Sequence, residues 1–218
     1  MAELREGKLK NTSGQPYKYY TGNVFLSRAQ MQVNARYVWQ YLRLKGWSRN
    51  AVAGMLGNME TESTINAGIW QNLSDGSDLS LGFGLVQWTP ASKYLDWCGY
   101  VAYDSIDTAL DRIIYELENG LQWISTEDYP LSFATFAKSA GSPEYLAECF
   151  LHNYERPADT NQPARATQAR TWYNYLEQYD DGYTGDGGDI DDGDEPTPIP
   201  YKTSKMPLWL LIAATRRN

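Results

Sequence analysis

Apolar positions recur every three or four residues in several stretches of the chain, and glycine, proline and acidic residues break the pattern between them. Ser27 is placed to cap a helix running to about Leu44, with Met31, Tyr37, Val38, Tyr41 and Leu42 at helical spacing and Gly46 as its stop. Ser48 caps a second helix over RNAVAGMLGNMETES. Between Thr64 and Pro90 the periodicity is lost: Asp75-Gly76, Gly82 and Gly84 punctuate short segments, as in a loop with a small hairpin. Helical patterns return at about 92–98, 107–118, 132–138, 143–155 and 164–178. Ser142 followed by Pro143 is a strong start signal for the fourth of these, because proline at the first helical position loses no hydrogen bond. Residues 1–25 are polar and turn-rich and read as an arm.

The second helix carries two carboxylates near its end. Its apolar stripe is Val52, Met55, Leu56 and Met59, and at 100° per residue Glu62 falls about 20° from Met55 while Glu60 is rotated by about 140°. Glu62 therefore continues the buried stripe, and Glu60 is expected to face water. Partial burial and the negative end of the helix dipole both favour the neutral form of a carboxyl placed there, as a general acid requires. The alternative is a structural glutamate paired with arginine or backbone amides. Gly54 and Gly57 lie within the same helix, where glycine costs ~1 kcal/mol relative to alanine, so a closely packed neighbouring backbone is expected. Downstream, Ser80 to Trp88 (SLGFGLVQW) combines glycines that expose backbone polar groups with a side-chain amide and aromatic faces, the combination that binds sugar rings.

Composition narrows the function. The 218 residues are 42% apolar and 14% aromatic, enough for one well-buried core. The net charge of −8, with no basic run, argues against nucleic-acid specificity. Residues 180–195 hold eight acids and no base, which leaves residues 1–179 at −4. The span 180–200 reads as an acidic, glycine-rich linker, and 201–218, containing MPLWLLIAA between basic residues, as an apolar docking segment for a neighbouring protein, with contact to a membrane surface as the other reading. The polar N-terminus lacks the apolar core of a secretory leader. Cys98 and Cys149 are expected as reduced, buried thiols.

Three runs in the same order carry a family resemblance: NARYVWQYLRLKGWSRNAVAGMLGNMETESTINAGIWQNL, LGFGLVQWTPASKYLDW and FLHNYERPADTNQPARATQA. They resemble the phage tail lysozyme domain found at the N-terminus of the tail-knob lysin of small, protein-primed Bacillus phages, within the lysozyme-like superfamily. The resemblance spans about residues 26–179. It implies a mainly α (α+β) lysozyme-like fold, a helical bundle with a small loop or hairpin region lining a saccharide cleft, and a flexible C-terminal tail. It also implies cleavage of the β-1,4 bond between N-acetylmuramic acid and N-acetylglucosamine in bacterial peptidoglycan, at the tail tip of a virion, as the phage genome enters its host.

The family's catalytic glutamate falls on Glu62. Gln87 and the Tyr154-Glu155-Arg156-Pro157 cluster match its other cleft motifs, and Ser63, Gly84, Gln87, Trp88, Tyr154 and Glu155 are the candidate substrate contacts. Asp75 and Asp78, with Glu155, are candidates for a second carboxylate that would activate water. Without one, the substrate's own hydroxyl can close an anhydro ring, as in a lytic transglycosylase. The zinc peptidase domain that follows in the knob lysins is not expected here, since such a site needs several histidines and the chain has only His152. No metal or cofactor is implied. Partners would be peptidoglycan and other tail proteins of the tube or knob. Two other classes compete: a catalytically inactive sugar-binding or structural tail protein, and a cysteine peptidase using Cys98 and His152.

Overall fold

The computed structural model describes residues 1–179; the linker and docking segment expected over 180–218 lie outside the described residues. The first 21 residues form an antiparallel hairpin, β1 (Glu3–Lys10) and β2 (Pro16–Thr21), followed by α1 (Arg28–Leu44), α2 (Arg49–Ser63), α3 (Ser92–Cys98), α4 (Ile106–Glu118), α5 (Phe133–Lys138), α6 (Pro143–Phe150) and α7 (Ala164–Leu176). A single π turn, Leu151–Glu155, extends α6, and a 3₁₀ turn, Glu177–Tyr179, closes the described chain. The mainly α, α+β lysozyme-like arrangement is thus present. The start signals act as expected: Ser27 and Gln30 form a reciprocal capping box on α1, Ser48 accepts from Ala51 N–H, and Ser142 precedes Pro143 at the start of α6.

The expected arm is instead part of the core. β1 and β2 pair from Glu3 opposite Thr21 to Lys10 opposite Pro16, with an irregularity between Glu6 and Lys10. Charged side chains occupy most of β1, but Leu9 there and Tyr19 and Thr21 of β2 are buried. Leu9 N–H donates to the Tyr37 hydroxyl (3.1 Å), and Gly7 is required where it stands because a Cβ there would lie 2.1 Å from that same oxygen. Asn34 of α1, fully buried, then ties three segments together. Its Oδ1 accepts from Tyr20 N–H (2.6 Å), and its Nδ2 donates to the carbonyls of Tyr20 and Ile65 (2.7 Å each).

Helix α2 lies at the centre, against α1, α6 and α7. Both of its glycines face a neighbouring backbone, as the sequence suggested. A Cβ on Gly54 would sit 2.9 Å from the backbone of Leu146 and Ala147, and one on Gly57 would sit 2.3 Å from the Arg165 carbonyl oxygen and 2.8 Å from Ala169 N. Because those neighbours are helix backbone, they cannot step aside. Gly57→Ala should therefore destabilise the fold by ~1–3 kcal/mol, read as a lowered urea midpoint with an unchanged slope.

Candidate active site

A cleft of about 440 Å³ opens where three segments meet. The last turn of α2 contributes Glu62; the irregular loop contributes Trp70, Gln87 and Trp88; the π turn and the residues after it contribute Tyr154, Glu155 and Arg156. Helix α2 stops one residue past Glu62, at Ser63, because Thr64 and Ile65 both take left-handed backbone (φ 54° and 56°) and return their N–H groups to the carbonyls of Glu60 and Met59. Ser63 is buried. Its hydroxyl donates to Leu85 O (2.8 Å) and accepts from Asn66 N–H (3.2 Å), so it locks the loop onto the helix end and does not face the cleft.

The two α2 glutamates differ in what they meet more than in how far they are covered. Their side chains are 17% (Glu60) and 20% (Glu62) exposed, so Glu60 is not the water-facing residue expected; Arg28 covers it with a 3.0 Å ion pair. Glu62 lines the cleft and its Oε1 accepts from Arg165 Nη2 at 2.5 Å. Arg165 is itself held by Asn58 Oδ1 (3.0 Å) and Gln162 Oε1 (2.8 Å), and Asn58 donates through Nδ2 to the carbonyls of Gly54 and Ala147. The catalytic candidate is thus an arginine-paired carboxyl on a fixed frame, which combines the two readings that the sequence had set against each other.

The loop is folded by its own backbone. Phe83 and Trp88 exchange both backbone hydrogen bonds, and Gly84, at φ 82°, donates to Ile69 O (3.0 Å). Gly84 supplies this turn and is not among the residues lining the cleft. Gln87 does line it, at φ 47°, with its amide nitrogen donating to Ile69 O (3.2 Å) and Gly84 O (3.1 Å). Trp88 reaches the cleft only by an edge: it is 3% exposed and stacks on Tyr94 at 4.5 Å. Trp70, half-buried on Phe83, presents more aromatic surface to the cleft than Trp88 does.

Asp75 and Asp78 stand outside the cleft. Each is held by the serine two residues on, first through its side chain and then through its backbone N–H (Ser77 at 3.0 Å; Ser80 at 2.9 Å, with its hydroxyl at 2.6 Å), and these hydrogen bonds hold both carboxyls below the usual range. The carboxyl that the structure brings beside Glu62 is Glu155, whose Oε1 is buried without a hydrogen-bond partner and whose titration is pushed well above the usual range, first by burial and then by the nearby Glu62 charge.

Beneath the cleft lies a second carboxylate that the sequence had not marked. Glu116 of α4, 1% exposed, accepts from Trp88 Nε1 (3.0 Å), Arg112 Nε (2.8 Å) and the Tyr154 hydroxyl. Arg165 escaped the sequence reading because only tertiary packing shows which charge it meets, and Glu116 because its i,i+4 pair with Arg112 reads as an ordinary solvated pair until Trp88 and Tyr154 are packed onto it. Cys98 and Cys149 are free and buried, and burial pushes both thiols up, that of Cys149 to about 11, the reverse of an activated nucleophile. His152 stacks on Tyr129 and lies 3.8 Å from Glu148.

The sequence model of the phage tail lysozyme family matches residues 33–176, a span that contains all three cleft segments just described. The chain belongs to the phage tail lysozyme family. It is also 52% identical over 160 residues to Morphogenesis protein 1 of Bacillus phage B103, a match that takes in 72% of this chain and 43% of that protein. The chain therefore spans less than half the length of this relative. Within the family domain the cleft depends on the buried Glu116 cluster, since it anchors Trp88 and Tyr154 together. Glu116→Ala strands the Arg112 charge and should lower stability by ~3–5 kcal/mol, with a matching loss of the near-ultraviolet circular dichroism of the buried aromatic rings.

Proposed function

We propose that this domain is a virion-associated muramidase that cleaves the β-1,4 bond between N-acetylmuramic acid and N-acetylglucosamine in peptidoglycan as the phage genome enters its host, with Glu62 as general acid. One observation carries the reading: the only carboxyl that α2 presents to the cleft is Glu62, and it stands there with Trp70, Gln87 and Glu155, which together offer a sugar an aromatic face, an amide and a second carboxyl. Family membership and the phage relative support the setting at the virion. Proton donation to the glycosidic oxygen by a positioned carboxyl accelerates such a cleavage by ~10²–10⁴-fold. Glu62→Gln should reduce clearing of a cell-wall suspension by that factor, while Glu60→Gln, which loses an ion pair to Arg28 outside the cleft, should keep most of it. Equal clearing by wild type and Glu62→Gln would remove the assignment.

A lytic transglycosylase is the second reading, favoured by the positions of Asp75 and Asp78. With their carboxylates bound to their own turns and outside the cleft, neither is set to activate a water molecule. Mass spectrometry of the released muropeptides separates the two reactions, because anhydro products are lighter by one water. Reducing ends are the expected product.

A further inference from the structure

Among the described residues, the buried side-chain oxygen left without a partner is Glu155 Oε1. Buried polar atoms in folded proteins nearly always have partners, and a bare one inside a cleft calls for a ligand or a proton. The arginines and the glutamate that act on it are engaged elsewhere, and Lys93, which lines the same cleft, makes no hydrogen bond to it. Arg156 turns back to donate to the carbonyls of Gln122 and Asn153. Arg165 donates to Asn58, Gln162 and Glu62, and both oxygens of Glu116 are taken by Trp88, Arg112 and Tyr154. Glu155 therefore stands beside the Glu62 carboxyl with no cation hydrogen-bonded to it.

Its position is also built, not incidental. Glu155 is the last residue of the π turn, and Arg156 ends that turn in left-handed backbone (φ 50°) with its N–H returned to Leu151 O (2.8 Å). The extra residue in a π turn rotates the side chains that follow it relative to an ordinary α-helix. Here it brings Tyr154 onto Glu116 and Glu155 into the cleft.

We infer that Glu155 is the second catalytic carboxyl of this cleft, and that Glu155 and Glu62 hold a single proton between them in the resting enzyme. The inference rests on the glycosidase reading above. Two carboxyls in one partly desolvated site do not both ionise readily, so one proton is kept in the cleft. The pair's proton passes through Glu62 to the glycosidic oxygen as the bond from that oxygen to the anomeric carbon breaks, and the bonding electrons leave with the oxygen. Both carboxyls are then anionic, offset by the charges of Arg165 and Arg156. A water molecule bonds to the anomeric carbon, and the proton it sheds goes to Glu155. The pair thus ends with the one proton it began with, the net reaction consumes one water, and the product is a reducing sugar.

The test uses the full chain acting on purified peptidoglycan, with kcat, KM and products followed against pH for wild type, Glu62→Gln and Glu155→Gln. The amide copies the shape of a neutral carboxyl, so a purely structural Glu155 would tolerate it. The expected result for Glu155→Gln is a fall in kcat of ~10²-fold or more with little change in KM, and loss of one limb of the bell-shaped pH profile. Wild-type kcat and an unchanged profile in Glu155→Gln, beside an inactive Glu62→Gln, would overturn this inference alone; a wild type that releases no muropeptide would overturn the glycosidase reading beneath it. A wild-type product pool dominated by anhydro ends would overturn the role of Glu155 as base. Should Glu155→Gln not fold, carbon-13 titration of the wild-type glutamate carboxyls decides: Glu155 is expected to titrate well above the ordinary ~4.3, and an ordinary midpoint would remove the shared proton.

Discussion

The close approach of α2 to α7 is the contact on which the rest depends. Where the α7 backbone passes Gly57, a single methyl group would collide with the Arg165 carbonyl oxygen at 2.3 Å. At that separation Arg165 is 3% exposed, yet it reaches Asn58 in the middle of α2 and Glu62 at its end. A buried guanidinium is tolerable only when its donors are met, and here Asn58, Gln162 and Glu62 meet them. Glycine, a residue that weakens an isolated helix, is thus what permits the charged frame of the site.

A second frame stands behind the cleft and is independent of the first. Glu116 and Arg112 form an ion pair one helical turn apart on α4, and the pair stays buried because Trp88 from the loop and Tyr154 from the π turn complete its hydrogen bonds. Isolated buried ion pairs rarely stabilise a fold relative to apolar packing. This one fixes the positions of two segments that have little regular structure of their own. The cleft is accordingly a place where three chain segments are held by two buried polar clusters, one behind Glu62 and one beneath Tyr154.

Much of this was legible in the sequence wherever local chemistry decides the outcome. Serine caps, the proline after Ser142 and the 3.6-residue spacing placed α1, α2, α3 and α6 within a residue or two at their starts, and the glycines of α2 announced a close neighbour. The phase of α2 pointed to Glu62 as the cleft carboxyl, but it could not foresee that Arg28 would cover Glu60 nearly as well. The N-terminal hairpin was hidden because its first strand is mostly charged and the pair buries only a few residues such as Leu9 and Tyr19, against partners distant in sequence. Asp75 and Asp78 looked as suitable as Glu155 in the text alone. What separates them is a π turn, for which no residue pattern in 151–155 gives notice.

The described chain begins and ends on the same helix. Arg36 of α1 lies over the ring of Tyr17 in β2 (5.5 Å) and over that of Tyr179 (4.5 Å), and Gln40, one turn along, donates to the Tyr179 carbonyl (3.0 Å). Mechanically this is a load path: tension applied at Tyr179 passes into α1 before it can peel α7 away. From α1 the load reaches Asn34, which grips the hairpin and the Ile65 carbonyl just beyond Glu62. A pull on the end of the domain is therefore shared by its central helices, and the α2 to α7 seam that carries Glu62 and Arg165 is shielded from bearing it alone.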